Sequence, residues 1–238
     1  GAPEGDNPSI YGRREGFAYV IFGNSLMGTG AVGDPVSGNL LRPDTLSGDE
    51  GFRISGINPI DLLGSAVSAA GDFNSDNVDD ILVGIPDSDP NGTGSGQALL
   101  VYGTTQFGQG TAGDPLNGSN QFDLSTLAAA DGELFNGEFG TANFGGDEAG
   151  SSLSGGYDFN DDGAIDLVIA APRANGSSTR EGAVYVVYGT PTNSDTTPPT
   201  ISSISTTASD GIYGLGATVS IAVEFSESVI LDLSSNSP

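Results

Sequence analysis

The chain has 238 residues, of which 31 are Asp or Glu and only 6 are basic, all of them Arg, so its formal net charge is −25 at pH 7. A surface this acidic repels phosphate groups, so neither nucleic acid nor an anionic membrane surface is expected as a partner. Because Cys and His are absent, a Ser-His-Asp triad, a Cys nucleophile and an ordinary zinc site are excluded. No apolar run approaches the roughly 20 residues of a membrane-spanning helix. We therefore expect a non-catalytic protein without membrane insertion, in a saline or divalent-rich environment outside the cell.

A strand-like phrase recurs along the chain and marks an internal repeat. It reads EGFAYVIFG at 15–23, SGQALLVYG at 95–103 and EGAVYVVYG at 181–189, so the copies end 80 and 86 residues apart. We place the insertion that lengthens the second interval between 127 and 149. Residues 1–23 are interpreted as the back half of a preceding unit. About two and a half repeats are therefore predicted over residues 1–189.

Each unit is predicted to consist of β-strands, because its short alternating runs are bounded by Gly, Asn, Asp and Pro. The predicted strands are 51–56, 63–70, 80–85 and 96–102 in the first full unit, and 138–144, 150–156, 165–171 and 182–188 in the second. No stretch has helical periodicity of useful length. Four strands per unit, repeated radially, are typical of a β-propeller, so we predict an all-β fold of propeller-type four-stranded blades.

Two matched acidic stretches lie within these units, DFNSDNVDDILVGIP at 72–86 and DFNDDGAIDLVIAAP at 158–172. Each places side-chain oxygens at alternate positions of a tight turn, where they can converge on one hard cation. The predicted ligands are the side chains of Asp72, Asn74, Asp76 and Asp80 with the main chain of Val78 in the first loop, and those of Asp158, Asn160, Asp162 and Asp166 with the main chain of Ala164 in the second.

The donor set contains only oxygen, which favours calcium over a transition metal and over magnesium, which keeps its waters. Position 6 of each loop must bend sharply, and it is Asn77 or Gly163, both tolerant of positive φ. An EF-hand is not expected, because position 12 is Val83 or Ile169 instead of Glu and both flanks are predicted strands. The alternative is a pair of solvated, Asx-rich turns without metal. Recurrence with the same spacing and flanks favours two calcium sites.

The stretches LGSAVSAAGDFNSDNVDDILVGIP and AGSSLSGGYDFNDDGAIDLVIAAP resemble FG-GAP repeats, the units of the integrin α-subunit β-propeller, in the style of large bacterial surface and secreted proteins. The signature Phe-Gly pair is replaced by Leu63-Gly64 and Ala149-Gly150. The resemblance implies a propeller whose loops bind calcium between two strands of a blade, at the ten positions given above. It also implies an extracellular or cell-surface protein that acts in cell adhesion.

The segment after the repeats is predicted to contain a linker and a second β domain. Residues 190–199, TPTNSDTTPP, form the linker, because paired prolines favour an extended path. Strands are expected at 200–207, 217–225 and 228–233. Residues 200–238 resemble the opening of bacterial immunoglobulin-like modules, which implies a partial Ig-like β-sandwich. Because such a sandwich needs about 100 residues, we expect either that the chain is a fragment of a longer one or that the missing strands come from elsewhere.

The predicted function is that of a calcium-stabilised extracellular adhesion or surface-scaffold module with structural Ca²⁺ and no catalytic activity. Its further partner is expected to be a protein or glycan surface. Two alternatives stay open. The chain is the subunit of a self-completing extracellular polymer, whose copies form a homo-oligomer through unpaired strand edges. Alternatively, the propeller binds glycans.

Overall fold

The structure, a computed structural model, describes residues 1, 16–23, 36–37, 40–41, 46, 50–58, 60–116, 119–141, 145–174, 181–191 and 198–226. The chain divides into two compact units, 1–192 and 193–238. In the described residues the fold is all-β apart from a single 3-10 turn at Leu124–Thr126, which confirms the predicted class. No helix in this part of the chain is long and apolar enough to cross a membrane.

The described residues form sixteen β-strands. They are β1 (Phe17–Ile21), β2 (Val36–Ser37), β3 (Leu40–Leu41), β4 (Gly51–Ser55), β5 (Val67–Gly71), β6 (Asp80–Ile85), β7 (Gln97–Val101), β8 (Gln121–Asp123), β9 (Gly132–Asn136), β10 (Gly140–Thr141), β11 (Gly145–Gly146), β12 (Ser152–Tyr157), β13 (Asp166–Ala171), β14 (Ala183–Val187), β15 (Ile201–Thr206) and β16 (Ile221–Phe225).

Three sheets of the first unit carry the repeat. Sheet 1 has the strand order β1-β4-β8, sheet 2 the order β5-β6-β7-β9, and sheet 3 the order β12-β13-β14. Sheet 2 is an antiparallel meander, and sheet 3 repeats its first three strands. Sheet 1 differs at one edge, where β8 runs parallel to β4. The strands predicted at 80–85, 96–102, 165–171 and 182–188 coincide with β6, β7, β13 and β14, whereas β5 and β12 begin later than predicted.

The predicted grouping of strands into blades is wrong at the strand 51–56. This strand, β4, does not join the sheet of β5, β6 and β7 but pairs antiparallel with β1 of the preceding unit. In the same way β9 pairs with β7. Both segments read acid-Gly-x-x-x-x-Gly, as Glu50–Gly56 and Asp131–Gly137. In sheets 1 and 2, the strand that pairs with the recurring strand-like phrase is therefore the segment that follows it; this position is called the fourth strand of a repeat.

The strand predicted at 138–144 is confirmed only at Gly140–Thr141, and this strand, β10, does not join a blade sheet as predicted; residues 142–144 lie outside the described residues. The sheet-forming strand of this region is β9, at Gly132–Asn136, and the short strands β10 and β11 then pair with each other. The insertion was predicted to lie between 127 and 149, and β9, which lies in the same interval, was not predicted as a strand. The extra residues correspond to the β10–β11 hairpin, which precedes the Ala149-Gly150 pair.

The sheets of the first unit pack face to face, so that sheet 2 lies between the other two. Alternate residues of a strand point to opposite faces. Leu99 of β7 packs in a buried cluster with Phe52 and Ile54 of sheet 1. Leu100, the next residue, packs with Leu167 of sheet 3. Sheet 2 thus buries both of its faces, as the central layer of a stack does.

The contact between sheets 2 and 3 is close enough to require glycine at one position. A Cβ atom on Gly155 of β12 would lie 2.8 Å from the Cα of Ala70 and 2.9 Å from the carbonyl oxygen of Ala69. Backbone atoms cannot move aside as a flexible side chain does, so a larger residue here would push the two sheets apart.

Repeat positions that are buried in sheet 2 lie on the exposed outer face of sheet 3. Leu100 is fully buried at 0% exposure, and its counterpart 86 residues later, Val186, is 41% exposed. Tyr102 packs against the cluster between sheets 2 and 3, whereas Tyr188 is 60% exposed. The same repeat position is therefore a core position in one sheet and a surface position in the next.

The second unit is described for residues 198–226 and contains the ribbon of β15 and β16. These strands pair antiparallel, with Thr206 opposite Ile221, and the side chains of both are exposed. The ribbon accounts for the strands predicted at 200–207 and 217–225. The strand predicted at 228–233 lies outside the described residues, and the Ig-like sandwich stays a prediction.

The layered arrangement predicts different costs for the same truncation at equivalent positions. Leu100→Ala should lower the free energy of unfolding by about 2–5 kcal/mol, because it leaves a cavity between sheets 2 and 3. Val186→Ala, its matched control on the outer face of sheet 3, should cost less than about 1 kcal/mol. Urea unfolding of both variants measures the difference, and equal losses would contradict the layering.

Candidate metal centre

The two acidic loops occupy equivalent places in adjacent sheets. One joins β5 to β6 and the other joins β12 to β13. The first is closed by the pairing of Gly71 with Asp80, and the second by the pairing of Tyr157 with Asp166. A register shift precedes each closing pair. The predicted loops therefore begin and end at the same points of their sheets.

The first loop folds around its own carboxylates. Asp72 accepts hydrogen bonds from the backbone N–H groups of Asp76 and Asn77, each at 2.8 Å. Asn74 Oδ1 accepts a second bond from Asp76 N at 3.1 Å, and Asp76 Oδ1 accepts one from Val78 N at 2.8 Å. These bonds hold the side chains of positions 1, 3 and 5 on the inner side of one turn.

The second loop repeats the network bond for bond. Asp158 accepts from Asp162 N at 3.1 Å and from Gly163 N at 2.7 Å. Asn160 Oδ1 accepts from Asp162 N at 3.2 Å, and Asp162 Oδ1 accepts from Ala164 N at 2.8 Å. The bond from Gly163 is the main cause that lowers the pKa of Asp158, because it stabilises the ionised carboxylate.

Two positions in each loop adopt the left-handed backbone conformation. Position 6 is one of them, as predicted, with φ of 70° at Asn77 and 87° at Gly163. Position 4 is the other, with φ of 61° at Ser75 and 60° at Asp161. The left-handed conformation at position 4 was not predicted. The residue types indicate it only weakly, because only the short polar side chains of Ser and Asp favour this conformation.

Position 9 of each loop is buried and joins three segments. Asp80 is 1% exposed, and its carboxylate accepts N–H groups from Phe73 at 2.9 Å and from Gly103 at 2.8 Å. Burial raises the pKa of Asp80, and these hydrogen bonds oppose the rise. Since Phe73 lies in the loop and Gly103 follows β7, one carboxylate links the loop, β6 and the end of β7.

Asp166 makes the equivalent hydrogen bonds in sheet 3, and this pair of bonds to a buried position-9 carboxylate is called the brace. Asp166 is fully buried at 0% exposure and accepts from Phe159 N at 2.7 Å and from Gly189 N at 3.0 Å. Asp80 and Asp166 were predicted only as metal ligands, and their hydrogen bonds to Gly103 and Gly189 were not predicted. The signal was present, because Gly ends each copy of the recurring strand-like phrase.

The donor chemistry of the loops fits a hard cation. Each loop supplies carboxylate, amide and carbonyl oxygens at positions 1, 3, 5, 7 and 9, the kind of ligand that calcium takes. In the described residues, however, no group of three or more acidic side chains is arranged to hold a metal ion. The carboxylates face backbone N–H groups, and Asn74 turns its Nδ2 to Asp76 Oδ2 at 2.9 Å. Metal binding would require this amide to rotate.

A second pair of buried acids lies just before the Leu63-Gly64 and Ala149-Gly150 pairs. Asp61 is 7% exposed and accepts from Asn58 N at 3.2 Å and Asn58 Nδ2 at 3.1 Å. Asp147 is 1% exposed and accepts from Phe139 N at 2.9 Å. The sequence analysis did not single them out, although each lies two residues before its pair.

Residues 63–112 and 149–187 each match the FG-GAP repeat family. Both acidic loops, with Asp80 and Asp166, fall within the matched segments. The chain therefore contains two FG-GAP repeats, and its sheets are consistent with blades of an integrin-like β-propeller. No curated protein matches the chain.

The brace at position 9 predicts a stability role that does not depend on metal. With excess chelator, Asp80→Ala should lower the free energy of unfolding by about 3 kcal/mol, because it leaves buried N–H groups without their charged acceptor. Asp72→Ala should cost less than about 1 kcal/mol, since its bonds lie near the surface. Chemical unfolding in chelator separates the two variants, and a loss at Asp72 as large as that at Asp80 would refute the distinction.

The buried carboxyl group of Asp61 is expected to make the stability of the chain depend on pH. Burial is the main cause that raises its pKa, and Asp89 and Asp87 add to the rise. Its stabilising contribution is therefore present below the unfolded pKa, about 3.9, and is lost as the pH rises through the folded pKa. Asp61→Asn, which keeps an acceptor for Asn58, should raise the melting temperature at about pH 7 and leave it unchanged near pH 3. Melting curves across this range test it, with the exposed Glu133→Gln as control; a lower melting temperature at pH 7 would contradict it.

Proposed function

We propose that the chain is a calcium-stabilised extracellular module for adhesion or surface scaffolding, without catalytic activity. The observation that carries the proposal is the exact recurrence of one loop in two adjacent sheets. Both copies have the same donors, the same hydrogen bonds and the same two left-handed positions. A turn that served only to reverse the chain would need neither four oxygen-bearing side chains nor their repetition.

The residues that would hold the ion are those predicted from the sequence, in both loops. Bound Ca²⁺ would supply positive charge at the centre of each cluster of carboxylates. The loop residues orient the donors, because their N–H bonds fix the side chains of positions 1, 3 and 5 on one side of the turn. Two such ions would offset four of the 25 net negative charges. The module would then be most stable where divalent cations are abundant.

Two further observations support a structural role outside the cell. FG-GAP repeats occur in extracellular and surface proteins. The carboxylates of the loops are bonded to backbone N–H groups, and the chain has no His or Cys to act as base or nucleophile. The acidic groups therefore support a cation-binding role better than acid–base catalysis.

Calcium is expected to raise the melting temperature of the chain. Extracellular modules bind calcium at about 10⁻⁴–10⁻³ M, so about 10 mM calcium would add up to about 2.7 kcal/mol of stability for a site filled at 100 times its Kd. Calorimetric melting with calcium, with magnesium and with chelator measures this. The double variant Asp72→Asn, Asp158→Asn should lose most of the shift, because each loop loses a charged donor.

The matched control is Glu133→Gln, which removes one exposed negative charge outside both loops. It should retain the full calcium shift. A shift that is equal in the double variant and the control would indicate general charge screening instead of loop binding. Identical melting in calcium and chelator would remove the calcium proposal.

A further inference from the structure

Among the described residues, sheet 3 has no counterpart of the strands β4 and β9, which pair with the equivalent strands of the other two sheets. The recurring strand-like phrase forms β1, β7 and β14. β1 is covered by β4 and β7 by β9, but among the described residues β14 pairs only with β13. The strands described after β14 pair with each other, as β15 with β16. In the part of the chain that the structure describes, one edge of β14 is therefore open where its two counterparts are paired.

The open edge presents the backbone groups that bind a fourth strand elsewhere. In sheet 2, Tyr102 N donates to Asp131 O at 3.0 Å, and Gly96 O accepts from Gly137 N at 2.8 Å. Because an antiparallel ladder alternates, the even-numbered residues of β7 face β9. The equivalent residues of β14 are Val184 and Val186. Their N–H and C=O groups point to the open edge.

A cavity lies beside this edge, between sheets 2 and 3. It has a volume of about 650 Å³ and is lined by Leu134 and Phe135 of β9, by Tyr185 and Val187 of β14, and by Glu138. On its other side, β9 stacks on a fourth strand, since Leu134 packs against the cluster that contains residues of β4. The cavity therefore marks the place where a fourth strand of sheet 3 would stack on β9.

The strand itself has no feature that prevents edge pairing. β14 reads AVYVV, with no Pro, Gly or charged residue. Natural edge strands usually carry such a residue, because an open edge otherwise pairs with another chain. The edge of β14 thus differs from a protected edge in composition and in the cavity beside it.

We propose that the open edge of β14 binds an extended segment of another polypeptide, which adds as the fourth strand of sheet 3. The chain supplies two templates for this ligand. Arg53 lies opposite Tyr19 in sheet 1, and Leu134 lies opposite Leu99 in sheet 2. The equivalent position of β14 is Tyr185. The bound segment places a long side chain there, directed into the cavity.

The negative charge around the cavity favours Arg over Leu at the position opposite Tyr185. Glu138 lines it. Burial, with Asp147 and Glu138, raises the pKa of Tyr185, so the field at this position is negative. An Arg side chain can lay its aliphatic stem on the aromatic rings and direct its guanidinium to Glu138. The favoured partner is therefore an extended, carboxylate-poor segment with Arg opposite Tyr185.

A peptide of the chain's own fourth strand tests the proposal. The probe is EGFRISG, residues 50–56, labelled with a fluorophore and titrated with the intact chain. In the chain these residues bond to β1 through Gly56 N, which donates to Gly16 O, so Phe52 and Ile54 face the same way. N-methylation of the probe at Phe52 and Ile54 should weaken binding by about tenfold or more. N-methylation at Arg53 and Ser55, which face away, should leave it unchanged.

Two variants place the binding at β14 and at the cavity. Val186→Pro removes the N–H that points to the open edge and should abolish binding, whereas Val186→Thr keeps this N–H and should bind as the unmodified chain does. Replacing Arg53 of the probe by Glu should weaken binding by about tenfold through repulsion from Glu138.

The outcomes decide the proposal directly. It is overturned if the probe does not bind at millimolar concentration, if both N-methylated probes bind equally, or if folded Val186→Pro binds as well as Val186→Thr. The last result would place the probe at another edge, such as that of β1. Should Val186→Pro not fold, the two N-methylated probes with the unmodified chain still separate the outcomes.

Discussion

The buried carboxylate at position 9 of each acidic loop is the interaction on which the rest of the first unit depends. Asp80 has almost no contact with solvent, and its charge is stabilised by N–H groups from the loop and from Gly103. A buried charge without partners costs several kcal/mol, so these segments must keep their relative positions for the chain to fold. Asp166 imposes the same condition on sheet 3. The acidic loop is thus a structural joint as well as a candidate ion site.

The three sheets form a stack, and the burial of each sheet depends on the sheets packed against it. Sheet 2 buries one face against sheet 1 and the other against sheet 3, and at Gly155 the backbones approach too closely for any side chain. In sheets 1 and 2 the fourth strand of the repeat comes from the segment after the recurring strand-like phrase, which links consecutive repeats. A repeat of this kind has one face and one edge that only a neighbour can cover. Sheet 3 shows both of them open among the described residues.

The candidate site was largely predictable, because its signal is local. Alternating Asp and Asn in a short loop needs no knowledge of the fold, and neither does the left-handed backbone at Asn77 and Gly163. The braces to Gly103 and Gly189 could not be predicted in this way, since each joins residues 23 positions apart. The grouping of strands failed for a related reason. A strand's own residues do not determine which strand it pairs with, and β4 and β9 pair with β1 and β7, the strands formed by the preceding copy of the recurring phrase.

The sequence by itself determined the all-β class, the period of the repeat and the donor sets of the two loops. The class and the donor sets follow from residue types at short spacing, through turn residues and alternation, and the period follows from the recurrence of one phrase. Only the tertiary structure decided that Asp80 and Asp166 are buried, that β4 and β9 pair with β1 and β7, and that one edge of β14 has no partner among the described residues. Burial and strand pairing depend on which segments come together in space. Leu100 and Val186 occupy the same position of the repeat, yet one lies in the core and the other at the surface, because only one of them has a further sheet above it.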